Sequence, residues 1–201
     1  MPSQKLSFGT VGHFESSLER DFFALLEFNA DVLGWDPQPV SIPVPGQGSY
    51  VPDVLVQWLG RSREEGDVEY VLYEVKYRHE LREHWNELRT RYRAANRFAR
   101  ARGWKFRFMT EDRVRTPALF NAKFLLPYLR DPANVEDGLQ LLHALQVLGE
   151  TTPAELLLAC SADPWVRGRL ATTLWRLVAA RTVGADLGTM LTMSSVIWHA
   201  H

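Results

Sequence analysis

The stretches YVPDVLVQW (50–58) and YVLYEVKYR (70–78) decide how the first half of this chain folds. Both alternate β-branched and aromatic residues, the pattern of half-buried strands. Each also carries charge where packing residues are expected: Asp53 in the first, Glu74 and Lys76 in the second. Strand side chains alternate with period two, so Glu74 and Lys76 of the E-x-K triplet face the same way. If pairing of the two strands sets Asp53 alongside them, two carboxylates and an amine converge. Oxygen donors of this kind suit Mg2+ or Mn2+ rather than zinc. An ion held there would polarise a phosphodiester, and Lys76 would orient the attacking water or stabilise the developing charge. A plainer reading stands beside it, in which Asp53 ends a turn after Pro52 and Glu74 and Lys76 form a solvated cross-strand pair.

Upstream, Leu18, Phe22, Leu25 and Leu26 recur at helical spacing, predicting an amphipathic helix over 16–28. Glu19, beside Phe22 and Phe23, is a candidate third carboxylate; Ser16-x-x-Glu19 equally spells a capping box in which Glu19 reaches back to the first amide. Glu15 is the weaker candidate, at or outside the first turn. Asp36-Pro37-Gln38-Pro39 breaks the chain, QPVSIPV (38–44) and YVPDVLVQW form strands joined by PGQGS (45–49), and LGRSREEGDVE (59–69) loops into YVLYEVKY.

Downstream of the E-x-K strand, Leu81, Trp85, Leu88, Tyr92, Ala95 and Ala99 mark the buried face of one long helix. Gly103 ends it as a C-cap glycine would, and WKFRFMT (104–110) supplies a further strand. Strands and helices in this order predict an α/β domain over 1–115. From 116 to 201 the β signal nearly vanishes. Helical runs at about 118–130, 135–149, 153–160 and 164–181, two of them opened by Thr152-Pro153 and Asp163-Pro164, precede a short hairpin in TVGADLGTMLTMSSVIW (182–198), which suggests a small helical winged-helix-like domain. Trp165 and Trp175 are read as core anchors of the last helix.

The chain has 201 residues, 46% apolar and 23% charged, with a formal charge of -1, as in an ordinary globular protein. That average hides an asymmetry: between Lys76 and Arg107 eleven Lys or Arg stand against three acids, so the segment carries +8 and the remainder -9. From Leu88 to Phe108 every charge is positive. Arg78, Arg82, Arg89, Arg93, Arg97 and Arg100 are therefore candidates for contact with DNA phosphates, a contact giving affinity without sequence choice; a solvated outer helix face is the plainer account. Cys160 is the single cysteine, which excludes an internal disulfide framework and a cysteine-rich zinc site and fits a cytoplasmic protein. The N-terminus MPSQKLSFG has no basic start followed by an apolar core, and no stretch reaches the ~18 to 20 apolar residues of a membrane span, so neither secretion nor membrane insertion is expected. His79 and His84 have no partner at metal-ligand spacing and are expected at the surface.

Taken together, FESSLERDFFALLEFNADVLGWDPQPV (14–40), YVPDVLVQW, YEVKYR (73–78) and FRFMTED (106–112) resemble the N-terminal domain of the TnsA transposon endonucleases, of the PD-(D/E)xK nuclease superfamily. The likeness spans about 10–115. PAELLLAC (153–160), GRLATTLWRLVAA (168–180) and GADLGTMLT (184–192) look like that family's C-terminal domain. The resemblance implies a restriction-endonuclease-like mixed sheet flanked by helices and an active-site set of Glu19, Asp53, Glu74 and Lys76, Glu74 standing where some members carry glutamine. It implies Mg2+ or Mn2+ as cofactor, double-stranded DNA at transposon ends as substrate, and a DDE transposase and an AAA+ ATPase regulator as partners. Two alternatives are a catalytically silent DNA-binding scaffold subunit and a standalone nuclease of the same superfamily.

Overall fold

The structure is a computed structural model that describes residues 5, 16–60, 62, 66–130, 132 and 134–200. Two compact units divide the chain, Met1–Arg115 and Thr116–His201. In the first, helix α1 (Ser17–Phe28) is followed by strands β1 (Val32–Pro37), β2 (Ile42–Val44), β3 (Gly48–Tyr50), β4 (Val54–Leu59) and β5 (Val68–Val75). Helices α2 (Arg78–Glu83) and α3 (Trp85–Arg100), strand β6 (Lys105–Met109) and the short helix α4 (Glu111–Val114) complete it. A mixed sheet runs in the order β1-β4-β5-β6, with the first two pairings antiparallel and β5–β6 parallel. That parallel pair is closed by the helical crossover α2–α3, as parallel neighbours require.

The sheet is covered on both faces, so β5 is buried from Val71 to Val75. On one side α1 packs Phe22 edge-on to Tyr73 at 5.2 Å between ring centroids and Phe23 against Trp35 at 4.6 Å. Each of these phenylalanines contributes about 1.5–3 kcal/mol by leaving water. On the other, Leu55 and Leu72 meet Tyr92 and Ala95 of α3 together with Ile42, Val44 and Tyr50 of the β2–β3 hairpin.

Several expectations hold at residue level. Ser16 caps α1 by accepting a hydrogen bond from the Glu19 amide. Gly103 adopts a left-handed φ of +73°, the Trp104 amide returns to the Ala99 carbonyl and the Gly103 amide to Arg100, the pairing of a Schellman stop. Three expectations for the first unit need correction. The break placed at Asp36–Pro39 conceals strand β1; Pro37 is tolerated because β1 is the sheet's edge and needs no donor on its outer side. YVPDVLVQW is two elements, Tyr50 closing the hairpin and Val54 opening β4. The long helix divides at His84, which caps α2 and opens α3; Trp85 is accordingly 46% exposed while Tyr92, Ala95 and Ala99 are buried.

In the second unit, helices α5 (Pro117–Leu125), α6 (Val135–Leu148), α7 (Pro153–Cys160) and α8 (Pro164–Ala179) enclose Leu141, Leu145, Leu156, Leu170 and Leu174. Strands β7 (Val183–Ala185) and β8 (Ile197–His199) form the antiparallel hairpin. Thr152 and Glu155 make the complete capping box, and Asp163 caps α8. Buried Asn121 ties α5 to the hairpin connection by donating to the Leu187 and Thr189 carbonyls and accepting from the Leu191 amide. Trp175 is buried, but Trp165 is 88% exposed. It lies in the first turn of α8, five residues before buried Leu170 and roughly 140° from it round the helix at ~100° per residue. Among the described residues no helix is long and apolar enough to cross a membrane.

Candidate active site

The sheet pairing determines where the charged residues meet. Val54 is paired with Tyr73, so Asp53, one residue earlier, stands opposite Glu74. The Asp53 amide donates to the Tyr73 carbonyl at 3.2 Å, and its carboxylate accepts from the Val75 amide at 2.6 Å. Asp53 is half-buried. Glu74, near the end of β5, is 5% exposed. Lys76 lies just past β5, half-buried, its amide pinned to the Met109 carbonyl of β6 at 3.0 Å.

Glu19 comes from α1. Its first turn reaches the same end of β5, since the Ser17 hydroxyl lies 3.1 Å from that of Tyr77. Glu19 is 8% exposed, whereas the capping-box Glu155 is solvent-exposed. Its charge acts on both other acids. Burial is the main force pushing the Asp53 carboxyl up to about 8, followed by the charge of Glu74; Glu19 adds to this, while the Val75 amide and Lys76 oppose it. Glu74 is also held above the usual carboxylate range by burial, with Glu19 again raising it and Tyr50, Lys76 and Tyr92 pulling it down. The structure thus brings Glu19, Asp53, Glu74 and Lys76 into one electrostatic environment at the C-terminal end of β5. Glu15 lies outside the described residues.

Three supporting residues escaped the sequence reading. The Tyr50 hydroxyl donates to one oxygen of Glu74, and the Tyr92 hydroxyl donates to the other at 3.3 Å. Tyr92 showed only as part of the apolar stripe of α3, and Tyr50 only as an aromatic three residues before Asp53. Arg115 bonds Asp21 at 3.3 Å, Ser17 at 3.1 Å and the Tyr77 hydroxyl at 2.8 Å, fastening the start of α1 to the residue after Lys76. No local signal marks a contact between residues 94 apart.

The donor set fits a hard divalent cation in chemistry: oxygen ligands only, and more buried negative charge than Lys76 offsets. It is not a finished cage. Among the described residues no three Asp, Glu, His or Cys side chains are gathered tightly enough to hold an ion, and both Glu74 oxygens are engaged by tyrosines.

Of the six candidate arginines all are exposed. Arg78 pairs with Asp112 at 3.4 Å; Arg82 shares its surroundings, and Arg89, Arg93, Arg97 and Arg100 follow α3. His79 and His84 are at the surface, His84 lying 3.7 Å from Glu87.

No curated protein matches the chain. Residues 29–111, which contain Asp53, Glu74 and Lys76 but begin after Glu19, match the family described as TnsA-like endonuclease N terminal, and that segment is what the chain shares with it.

Proposed function

We propose that this protein is a metal-dependent DNA endonuclease that hydrolyses one strand at transposon ends, acting beside a DDE transposase and an AAA+ ATPase regulator. One observation supports this above the others: Glu19, Asp53, Glu74 and Lys76 share one environment at the end of β5, inside a TnsA-like domain for three of the four. Mg2+ or Mn2+, held by Asp53 and Glu74 with Glu19 nearby, would supply Lewis-acid polarisation of the scissile phosphodiester. The chain's own groups do the rest. The Lys76 ammonium places positive charge where the phosphoryl oxygens gain negative charge. Asp53 and Glu74, opposite each other on paired strands, are oriented by backbone and tyrosine hydrogen bonds, which limits the positions that the two carboxylates can take. The helical second unit, read as winged-helix-like, is the surface proposed for the ATPase.

The test is strand cleavage of a labelled transposon-end duplex in the presence of the partner proteins. Chelation of divalent ions should stop cleavage by this subunit and Mn2+ should restore it; an Asp53→Ala protein that cuts like the unmodified one refutes the site. A second reading, a silent DNA-binding scaffold, draws on the engaged oxygens of Glu74 and the open ligand geometry. It predicts the opposite result, transposition unaffected by Asp53→Ala.

The tyrosines give a separate expectation. Tyr92→Phe preserves the ring contacts with Phe108 at 4.8 Å and Tyr50 at 6.0 Å but removes a donor from Glu74. Losing an outer hydrogen bond to a ligand typically weakens metal affinity or activity ~10- to 100-fold. The Mn2+ concentration giving half-maximal cleavage should rise by that order while the melting temperature barely moves.

A further inference from the structure

Two connected hollows wrap the edge strand β6. One, of about 490 Å³, is lined by Arg78, Arg82, Arg107, Phe108, Asp112 and Arg113, among others. The next, of about 260 Å³, shares Arg107, Phe108 and Arg113 with it, so the two adjoin along β6 as one trough. Four guanidiniums line the trough against two carboxylates, and both are already engaged, Asp112 by Arg78 at 3.4 Å and Glu69 by Lys105 at 2.5 Å. Arg82, Arg107 and Arg113 have no carboxylate within ion-pair distance among the described residues. Guanidiniums gathered without counter-charge repel one another, and the planar fork of each matches a phosphate. The trough also lies next to the candidate site. Phe108, which lines both hollows, is paired with Glu74, and the following residue holds the Lys76 amide, so the strand that carries the trough neighbours the strand that carries the site.

We infer that this trough is a binding site for the DNA phosphodiester backbone, with Arg82, Arg107 and Arg113 contacting phosphates that flank the scissile one. The inference rests on the endonuclease reading and adds to it a path: the strand crosses the β6 edge rather than following the outer face of α3. Arg107 closes the basic run of the sequence and Arg113 lies beyond it, and neither is among the six arginines singled out there for DNA. Their contacts carry no base information, so affinity rather than sequence choice depends on them.

The test is fluorescence-anisotropy binding of the full chain to labelled duplexes of unrelated sequence, without divalent ions, over a salt series. Each phosphate contact contributes about 0.9 to the slope of log affinity against log salt. Arg107→Ala/Arg113→Ala should reduce that slope by about 2 and weaken every duplex alike, by about tenfold at low salt. Arg107→Lys/Arg113→Lys, keeping the charge, should retain the slope. Circular dichroism checks folding, and if the double alanine variant does not fold, Arg113→Gln alone should lower the slope by about 1. An unchanged slope in the folded alanine variant, a slope lost only in Arg89→Ala/Arg93→Ala, or an unmodified chain without affinity for duplex overturns the inference. Failure of the endonuclease reading shows elsewhere, as transposition unaffected by Asp53→Ala.

Discussion

Asp53→Asn should abolish strand cleavage and, at alkaline pH, make the first unit harder to melt. The Asp53 carboxyl titrates near about 8 in the fold against 3.8 in the free side chain. Between those values the folded protein keeps a proton that the unfolded chain has released. Stability therefore falls as pH rises through that window, by at most ~1.4 kcal/mol per pH unit, and levels off above it. The favourable state, with Asp53 neutral on folding, is fully present below the lower value. Raised Glu74 adds in the same direction. Asparagine keeps an acceptor for the Val75 amide but carries no charge, so the variant should keep only the part of the loss that Glu74 causes, where the unmodified protein loses a few kcal/mol more. The two should melt together near pH 4 and separate towards pH 9, with about 2–4 °C per kcal/mol for a chain of this size. Divalent ions supply a second readout. Mn2+ should raise the melting temperature of the unmodified protein, because a ligand that binds only the folded state stabilises it, and should leave Asp53→Asn unmoved. Equal melting curves for the two proteins at pH 9, with or without Mn2+, would remove the physical basis of the site.

That opposition between stability and activity also explains which parts of the molecule the sequence disclosed. Where local chemistry and the fold agree, reading was direct: the Ser16 and Thr152 caps, the Gly103 stop and the apolar spacing of α1 each follow from forces acting within a few residues, whereas the alternation in β5, read as half-buried, gives way to burial on both faces from Val71 to Val75. The facing of Asp53 and Glu74 followed from strand periodicity once β4 and β5 were taken as neighbours. Strand β1 was hidden because Gly34 and Asp36-Pro37 spell a turn, and only its place at the sheet edge makes them acceptable. The division at His84 has no glycine or proline to announce it. Periodicity identified the buried face of α3 but not that the Tyr92 hydroxyl ends on Glu74, and the Tyr50 contact depends on a hairpin folding over the sheet. Trp165 shows the converse error, in which size alone was taken as a sign of burial. Contacts made across long stretches of chain, including Arg115 to Asp21, carry no periodic trace.

Lys76→Ala should reduce strand cleavage ~10²- to 10³-fold, the usual consequence of removing one preorganised charge aimed at a transition state. The predicted loss falls on the chemical step. Lys76 lies at the end of β5 with its backbone fixed to Met109, so truncating its side chain leaves the sheet pairing intact, and single-turnover cleavage rate rather than DNA affinity should carry the effect. Lys76 also lowers the proton affinity of both Asp53 and Glu74. Its removal should therefore push both carboxyls further up and make the divalent-ion requirement steeper in pH, since each ligand must lose its proton before it can bind. Lys76→Arg restores the charge, so the steeper ion requirement should be relieved, but its broad planar head differs from a compact ammonium in a site framed by buried carboxylates, so the cleavage rate should stay low. Recovery of the pH profile without recovery of rate would separate the field of Lys76 from its position. If Lys76→Ala instead weakened duplex binding and left the single-turnover rate unchanged, the amine would be one more phosphate contact, and the E-x-K triplet would have no part in the chemistry.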